Sequence, residues 1–316
     1  MKAFFRLVEI QTKLASQLPL LLGTGYVLYS YNTFRPLNFL FMFLSLLAFD
    51  MATTAINNYY DYKKSIKTTG YGYEQHNAIV YFSMKENYVR AIIFLLLALA
   101  AIFGMLLYLE TSILVLILGV VSFAIGIAYS FGPVPISRTP FGELLSGGVM
   151  GFVIPFLAIY IHLYDTDLFL LSYEKGMMNL SLDVPFIARV FLLTIPPMVC
   201  IANIMLANNI CDMEEDIVNK RYTLPLYLGK EKALKLFRGL YYIAFGSILT
   251  MIILKVLPLI GLLAMISLLP IQKNINAFYK EQQKSTTFAL AVKNLLILVG
   301  STTALLYVAV GIRLLT

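Results

Sequence analysis

Asn57-Asn58-Tyr59-Tyr60-Asp61 and Asn208-Asn209-Ile210-Cys211-Asp212 share the pattern NNxxD. On a helix, Asn57 and Asp61 are four residues apart and lie on one face, and Asp50 and Thr54 extend that stripe. Asn208, Asp212 and Asp216 repeat the four-residue step, with Glu215 close by. Two such helices that meet would converge a row of hard oxygens on one point. That donor set suits Mg²⁺, which binds through a few carboxylates and completes its sphere with water and substrate phosphates. We expect Asn57, Asp61, Asp212 and Asp216 to be the metal ligands, with Asp61 and Asp212 central to catalysis. Basic residues interleave with these acids: Lys63 and Lys64 after Asp61, Arg138 further along, and Lys220 and Arg221 after Asp216. A purely acidic site suits a bare cation, whereas carboxylates mixed with Lys and Arg suit a metal-bridged polyanion such as a diphosphate. These five basic residues, with Asn208, are the expected substrate contacts, Lys64 and Arg221 before the others. Each also fits an ordinary solvated basic loop.

The elements that carry these residues are membrane helices. The 316 residues are 59% hydrophobic and only 13% charged, with a mean hydropathy of +0.80. A soluble domain needs about 25% charged residues. A membrane span needs about 20 consecutive apolar residues, which predicts nine helices near 14–31, 37–57, 89–109, 111–130, 142–163, 186–207, 234–254, 256–272 and 289–314. Lys255 and Pro258 mark the turn between the seventh and the eighth. The polar residues Glu9, Gln11 and Lys13 near the start argue against a cleavable signal peptide. With nine spans, all but five of the 24 Lys and Arg residues (Arg35, Lys175, Arg189, Lys255 and Arg313) fall on the face that carries both motifs. The positive-inside rule then puts that face and the N-terminus in the cytoplasm and the C-terminus outside. The same asymmetry accounts for the net charge of +7 without nucleic acid.

Each motif closes a span at the same face, which predicts two related halves, roughly 1–140 and 141–316, around a central cavity within a single domain. Long loops near 62–88 and 208–233 follow the motifs; the first is expected to cap the site or to act as a solvated connector. The segment 164–185, with Asp165, Asp167, Glu174 and Asp183, reads as a solvated connector on the other face. Glu74, Glu86 and Glu231 read as solvated acids. Trp is absent, so interfacial anchoring falls to the 21 tyrosines. Cys200 and Cys211 read as packing residues. Asp50 lies two to three turns inside a span, where a charge costs at least about 2.5–3.5 kcal/mol and needs a partner. Lys13, or a hydrogen bond from Thr53 or Thr54, can supply one, and both Lys13 and Asp50 are counted with the substrate contacts.

At these residues the chain resembles the UbiA superfamily of intramembrane prenyltransferases, and within it the branch that prenylates 1,4-dihydroxy-2-naphthoate in menaquinone biosynthesis. The family's NDxxD motif resembles Asn57 to Asp61, and its DxxxD motif resembles Asp212 to Asp216. The stretches NNICDMEEDIVNKRYTLPLYLGK and YSFGPVPISRTPFGE are similar to patterns of that branch, and the resemblance covers almost the whole chain. Two departures stand out: Asn58 replaces the family's Asp, and Ser65 and Lys67 stand where a further acid usually follows. The resemblance implies Mg²⁺-dependent transfer of a polyprenyl group from its diphosphate to an aromatic carbon, with loss of carbon dioxide from the naphthoate ring and demethylmenaquinone as the product. It implies a prenyl diphosphate and an aromatic acceptor as partners within the lipid of the cell membrane, and no obligate protein partner. Under that chemistry Tyr129 stabilises an allylic cation through its ring, or else anchors the membrane interface. A dry cavity would protect that cation from water.

Two rival readings remain: a superfamily enzyme with another aromatic acceptor, and a transporter, since internal repeats and intramembrane acids also mark transporters. Transport sites usually lie near the midplane, whereas these motifs lie at one face. His76 and His162 fall on opposite faces, which argues against a histidine metal centre.

Overall fold

The structure is a computed structural model that describes residues 1–64, 77–174 and 176–315. Among these are nine long helices: α1 Leu14–Tyr31, α2 Pro36–Lys64, α3 Glu86–Glu110, α4 Ile113–Ser130, α5 Gly142–Leu163, α6 Val184–Cys211, α7 Lys230–Ile253, α8 Leu259–Lys280 and α9 Phe288–Leu315. Eight of them, all except α1, are long and apolar enough to cross a membrane. The lower hydropathy of α1 has a packing reason. Its Ser16, Thr24 and Tyr26 are buried against the protein rather than turned to lipid. The chain is thus a multi-pass membrane protein, and side chains such as Phe94 and Leu109 point outward as lipid-facing surface.

Helix ends follow local chemistry. Asp183 caps α6 by accepting the Phe186 N–H at 2.6 Å. Asn32 ends α1 and Lys255 follows α7, both with left-handed backbone. The turn expected at Lys255 and Pro258 is therefore present. α8 starts later than expected, at Leu259, and runs on to Lys280. Its first nine residues are a 3₁₀ stretch.

The segment 164–185 is more than a solvated connector. Phe169–Glu174 (β1) and Met177–Leu182 (β2) pair as an antiparallel hairpin. Gly176, at φ 81°, supports the reversal between them. Arg35 at the head of α2 pairs with Asp165 at 2.5 Å, and its backbone N–H donates to Nδ1 of the buried His162. His162 is thus a packing residue, and His76 lies outside the described residues. Cys200 is buried and Cys211 half-buried, both as free thiols.

The helices around the core approach closely because small residues line the contacts. A Cβ on Gly151 of α5 would lie 2.3 Å from Met198 Cα of α6, and one on Gly147 would lie 2.7 Å from the Met198 carbonyl oxygen. Packing of this kind replaces the hydrophobic drive that helices lack among themselves in lipid. Between these contacts and Pro155, the stretch Gly147–Val153 of α5 winds as a π-helix. Pro155 has no N–H to bond the carbonyl four residues earlier, so the ladder shifts register before it. A smaller cluster, built from Leu7, Val8, Ala52, Ala55, Ile79 and Val89, fixes the short N-terminal helix Lys2–Leu7 against α2 and α3.

Candidate active site

Both NNxxD motifs end their helices at one end of the bundle. Asn57 and Asp61 occupy the last two turns of α2, and Asn208 the last turn of α6. Asp212 follows at the C-cap of α6 and leads into the short helix Met213–Val218 with Glu215 and Asp216. Lys220, with left-handed backbone at φ 52°, then turns the chain back. The Arg221 N–H reaches the Asp216 carbonyl at 2.8 Å, and its Nε lies 3.3 Å from Asp216 Oδ1. Thr223 Oγ1 donates to Asp216 Oδ2 at 3.0 Å. Burial raises the Asp216 carboxyl above its ordinary range, and Arg221 and the Thr223 hydroxyl oppose that rise. Lys284, in the α8–α9 connector, donates to Asp212 Oδ2 at 2.5 Å, and Asn208 Nδ2 donates to the same oxygen at 3.3 Å.

Charge links the two motifs. The Asp61 carboxylate feels the charges of Glu215 and Arg221 from the second motif's connector, Lys284 from the α8–α9 connector and Arg138 from the α4–α5 loop. That loop is tied to the second motif by the Tyr222 N–H, which donates to the Arg138 carbonyl at 3.0 Å. Ser130 Oγ donates to Asn57 Oδ1 at 3.2 Å, which joins the end of α4 to the first motif.

Below the motifs lies a cavity of about 590 Å³. Asn57, Ser130 and Tyr129 line its mouth, Ser16, Asp50 and Thr54 follow, and Met42, Leu107, Val115 and Ile154 line its depth. From Asn57 to Met42 along α2 is about 22 Å at 1.5 Å per residue. Phe49 and Phe123 stack in the wall with centroids 4.0 Å apart. Gly126 makes room for them, since a Cβ there would lie 2.7 Å from the Phe49 ring.

Asp50 has the partner expected from α1. Lys13 Nζ donates to Asp50 Oδ1 at 2.5 Å and to Thr54 Oγ1 at 2.7 Å, and Ser16 Oγ donates to Asp50 Oδ2 at 2.5 Å. The Thr53 and Thr54 hydroxyls donate instead to the Asp50 backbone carbonyl. Tyr129 is no interfacial anchor: its ring lines the cavity and its hydroxyl is buried.

Other expected contacts fall elsewhere. Lys63 turns away from Asp61 and pairs with Glu86 of α3 at 2.7 Å, and Arg90 shares that carboxylate. The reason is angular: Lys63 is two residues past Asp61, nearly opposite on the helix. Glu86 is therefore paired rather than simply solvated. Glu231 pairs with Lys235 at the surface. Lys220 is exposed and shapes the turn. The Lys64 side chain and residues 65–76, among them Ser65, Lys67 and Glu74, lie outside the described residues, and with them the middle of the 62–88 loop expected to cap the site.

Asn58, where the resemblance leads one to expect Asp, is buried and structural. Its Nδ2 donates to the Leu7 carbonyl at 2.9 Å and its own carbonyl accepts from Asn77 Nδ2 at 2.9 Å. An amide can donate to a carbonyl, and a carboxylate cannot.

Sequence reasoning did not single out Lys284, Glu143 or Asn209. Asn209 Nδ2 donates to Glu143 Oε1 at 2.9 Å, both buried beneath the second motif. Glu143 heads an apolar span with no basic neighbour, a signal that could have marked it. Among the described residues, Tyr129 Oη, Glu143 Oε2 and Asn209 Oδ1 are buried close together without a hydrogen-bond partner. So many orphaned polar atoms in one place suit a site that receives a polar ligand or water.

The donors also suit Mg²⁺. No group of three or more His, Cys, Asp or Glu among the described residues is gathered closely enough to cage an ion. Mg²⁺ needs only one or two carboxylates when phosphate oxygens complete its sphere; Asn57 lines the cavity, and Asp61, Asp212 and Asp216, linked through Lys284 and Arg221, supply carboxylates on the same face.

Comparison with known proteins agrees with this geometry. The pattern of the UbiA prenyltransferase family matches residues 17–298. A 1,4-dihydroxy-2-naphthoate octaprenyltransferase of Bacillus subtilis (strain 168) is 31% identical over 252 residues, which cover 79% of this chain and 73% of that one. A UbiA homolog from Archaeoglobus fulgidus, solved bound to GPP and Mg²⁺, superimposes with a TM-score of 0.69 at 16% identity over 98% of this chain and 99% of the other. One from Aeropyrum pernix K1 gives 0.68 at 18% identity over 91% and 97%. The structural likenesses establish the fold, and the sequence matches go further: this chain is a member of the UbiA prenyltransferase family.

Proposed function

We propose that the protein transfers a polyprenyl group from its diphosphate to 1,4-dihydroxy-2-naphthoate, with loss of carbon dioxide, as a step of menaquinone formation. The observation that carries this reading is the meeting of two acidic motifs and the cations Lys284, Arg221 and Arg138 at the end of the bundle where Asn57, Tyr129 and Ser130 open onto an apolar cavity. The identity shared with the Bacillus naphthoate enzyme favours this acceptor over other aromatics. The motif face is cytoplasmic by the positive-inside rule.

The prenyl tail lies along the cavity, where each buried CH₂ contributes about 0.8 kcal/mol, and its diphosphate stands at the mouth. Lys284 and Arg221, which sit on Asp212 and Asp216, are positioned to turn toward phosphate oxygens and share the charge of the leaving group. Asn57, Asp61, Asp212 and Asp216 would hold Mg²⁺, which when bound to the diphosphate makes it a better leaving group. The allylic C–O bond breaks with its electron pair on the diphosphate. The faces of Tyr129, Phe49 and Phe123 line the wall beside the resulting cation. The apolar depth excludes water, so the electron-rich ring is the nucleophile that reaches it.

Turnover in protein-containing membranes tests the reading. With dihydroxynaphthoate and a polyprenyl diphosphate, prenylated naphthoquinol forms with Mg²⁺ and not with chelator. Mg²⁺-dependent prenylation of a different aromatic alone would keep the reaction class and discard the acceptor.

A further inference from the structure

α8 turns its polar face outward. Ile271, Ile275 and Phe278 are buried in the bundle, whereas Lys273, Asn276 and Lys280 are exposed. The apolar run of its outer face ends at Leu268 and Leu269, the latter 74% exposed, and Gln272 begins the polar stretch. This change falls along a groove of about 680 Å³ between α7 and α8, lined by these residues and by Tyr242. The Tyr242 hydroxyl donates to Gln272 Oε1 at 2.8 Å, and Gln272 Nε2 donates to Asn276 Oδ1 at 2.8 Å, which gives the groove a neutral polar floor. The connector after α8 brings Lys284 onto Asp212, so the Lys280 end of the groove lies on the motif face. No Asp or Glu lines the groove. Neither Lys273 nor Lys280 forms an ion pair among the described residues. The two cations are seven residues apart on one helix face, about 10 Å along the axis. They follow the last exposed leucine of the span, on the polar half of α8.

We propose that this groove binds the headgroup of an anionic phospholipid, with its phosphate between Lys273 and Lys280 and its glycerol end and upper acyl chain on Leu268 and Leu269. Charge complementarity carries the proposal. Cations over a neutral polar floor, beside exposed leucines and with no Asp or Glu in the lining, are neutralised by a lipid phosphodiester. A zwitterionic lipid brings its own cation and meets like charge. A free phosphate has no chain to cover the leucines.

Native mass spectrometry of the delipidated protein, titrated with dioleoyl phosphatidylglycerol and with dioleoyl phosphatidylcholine, tests this. Two lysines at the membrane surface correspond to a preference of roughly 30-fold for the anionic lipid. The double variant Lys273→Gln/Lys280→Gln should lose that preference, with thermal unfolding in lipid-free detergent unchanged as the check on folding. Lys230→Gln/Lys232→Gln, exposed on α7 but outside the groove, should keep it. Equal preference in the groove variant and the wild type would overturn the proposal, as would displacement of the lipid by inorganic phosphate at the same concentration. Dimers in the wild type that dissociate in the groove variant would assign the face to a second copy of the chain instead.

Discussion

The Lys13–Asp50 pair sets the electrostatic balance of the cavity wall. Both charges are shielded from solvent, with side-chain exposures of 5% and 14%, so each depends on the other. Removing one partner of such a pair is costly because the remaining charge is uncompensated. Lys13→Met should therefore lower stability by about 3 kcal/mol in thermal unfolding of the detergent-solubilised protein. Lys13→Met/Asp50→Leu should recover most of that loss, since an apolar pair of similar volume replaces the ions. An unchanged melting temperature in the single variant would show that the pair is not coupled. Legibility at this scale was uneven. The oxygen donors could be read because four-residue spacing fixes a helix face. Lys284 could not, since nothing local in the connector says which carboxylate it meets 72 residues away. Lys63 misled because proximity in sequence to Asp61 is not proximity in angle.

At the scale of elements, the wall of the site depends on how closely α5 and α6 approach, because Val149, Met150 and Val153 line the cavity from the same π-helical stretch that touches Met198. Gly151→Ala would place a methyl group 2.3 Å from the Met198 Cα. Overpacking of this kind typically costs about 1–3 kcal/mol. We expect a lowered melting temperature together with reduced turnover, as the shifted helix narrows the cavity. Gly148→Ala, where a Cβ meets nothing within 4 Å, should be near neutral in both assays. Matching losses in the two variants would remove the close-packing account. Most helices were legible because lipid demands long apolar runs. The hairpin of β1 and β2 was not, since its short stretch carries acids that also suit a loop, and its pairing involves residues up to 13 positions apart.

At the scale of the molecule, α2 and α6 carry their motifs from distant parts of the sequence to one mouth, where a single diphosphate would span both. The NNxxD echo made this convergence readable before any coordinates, because two helices ending alike at one face invite a shared ligand. The basic residues interleaved with the motifs pointed to Arg138 and Arg221, but the echo could not show Lys284, which comes from the separate α8–α9 connector. The central claim is that Asp61 and Asp212 serve one substrate, and a double-mutant cycle on Mg²⁺-dependent prenyl transfer tests it most directly. Asp61→Asn and Asp212→Asn should each lower turnover by about 10²–10³-fold, the scale of losing one transition-state stabiliser. The double variant should be scarcely worse than either alone, because groups that act as a unit are non-additive. Losses that simply multiply would mean that the two motifs act at independent places and would contradict the account.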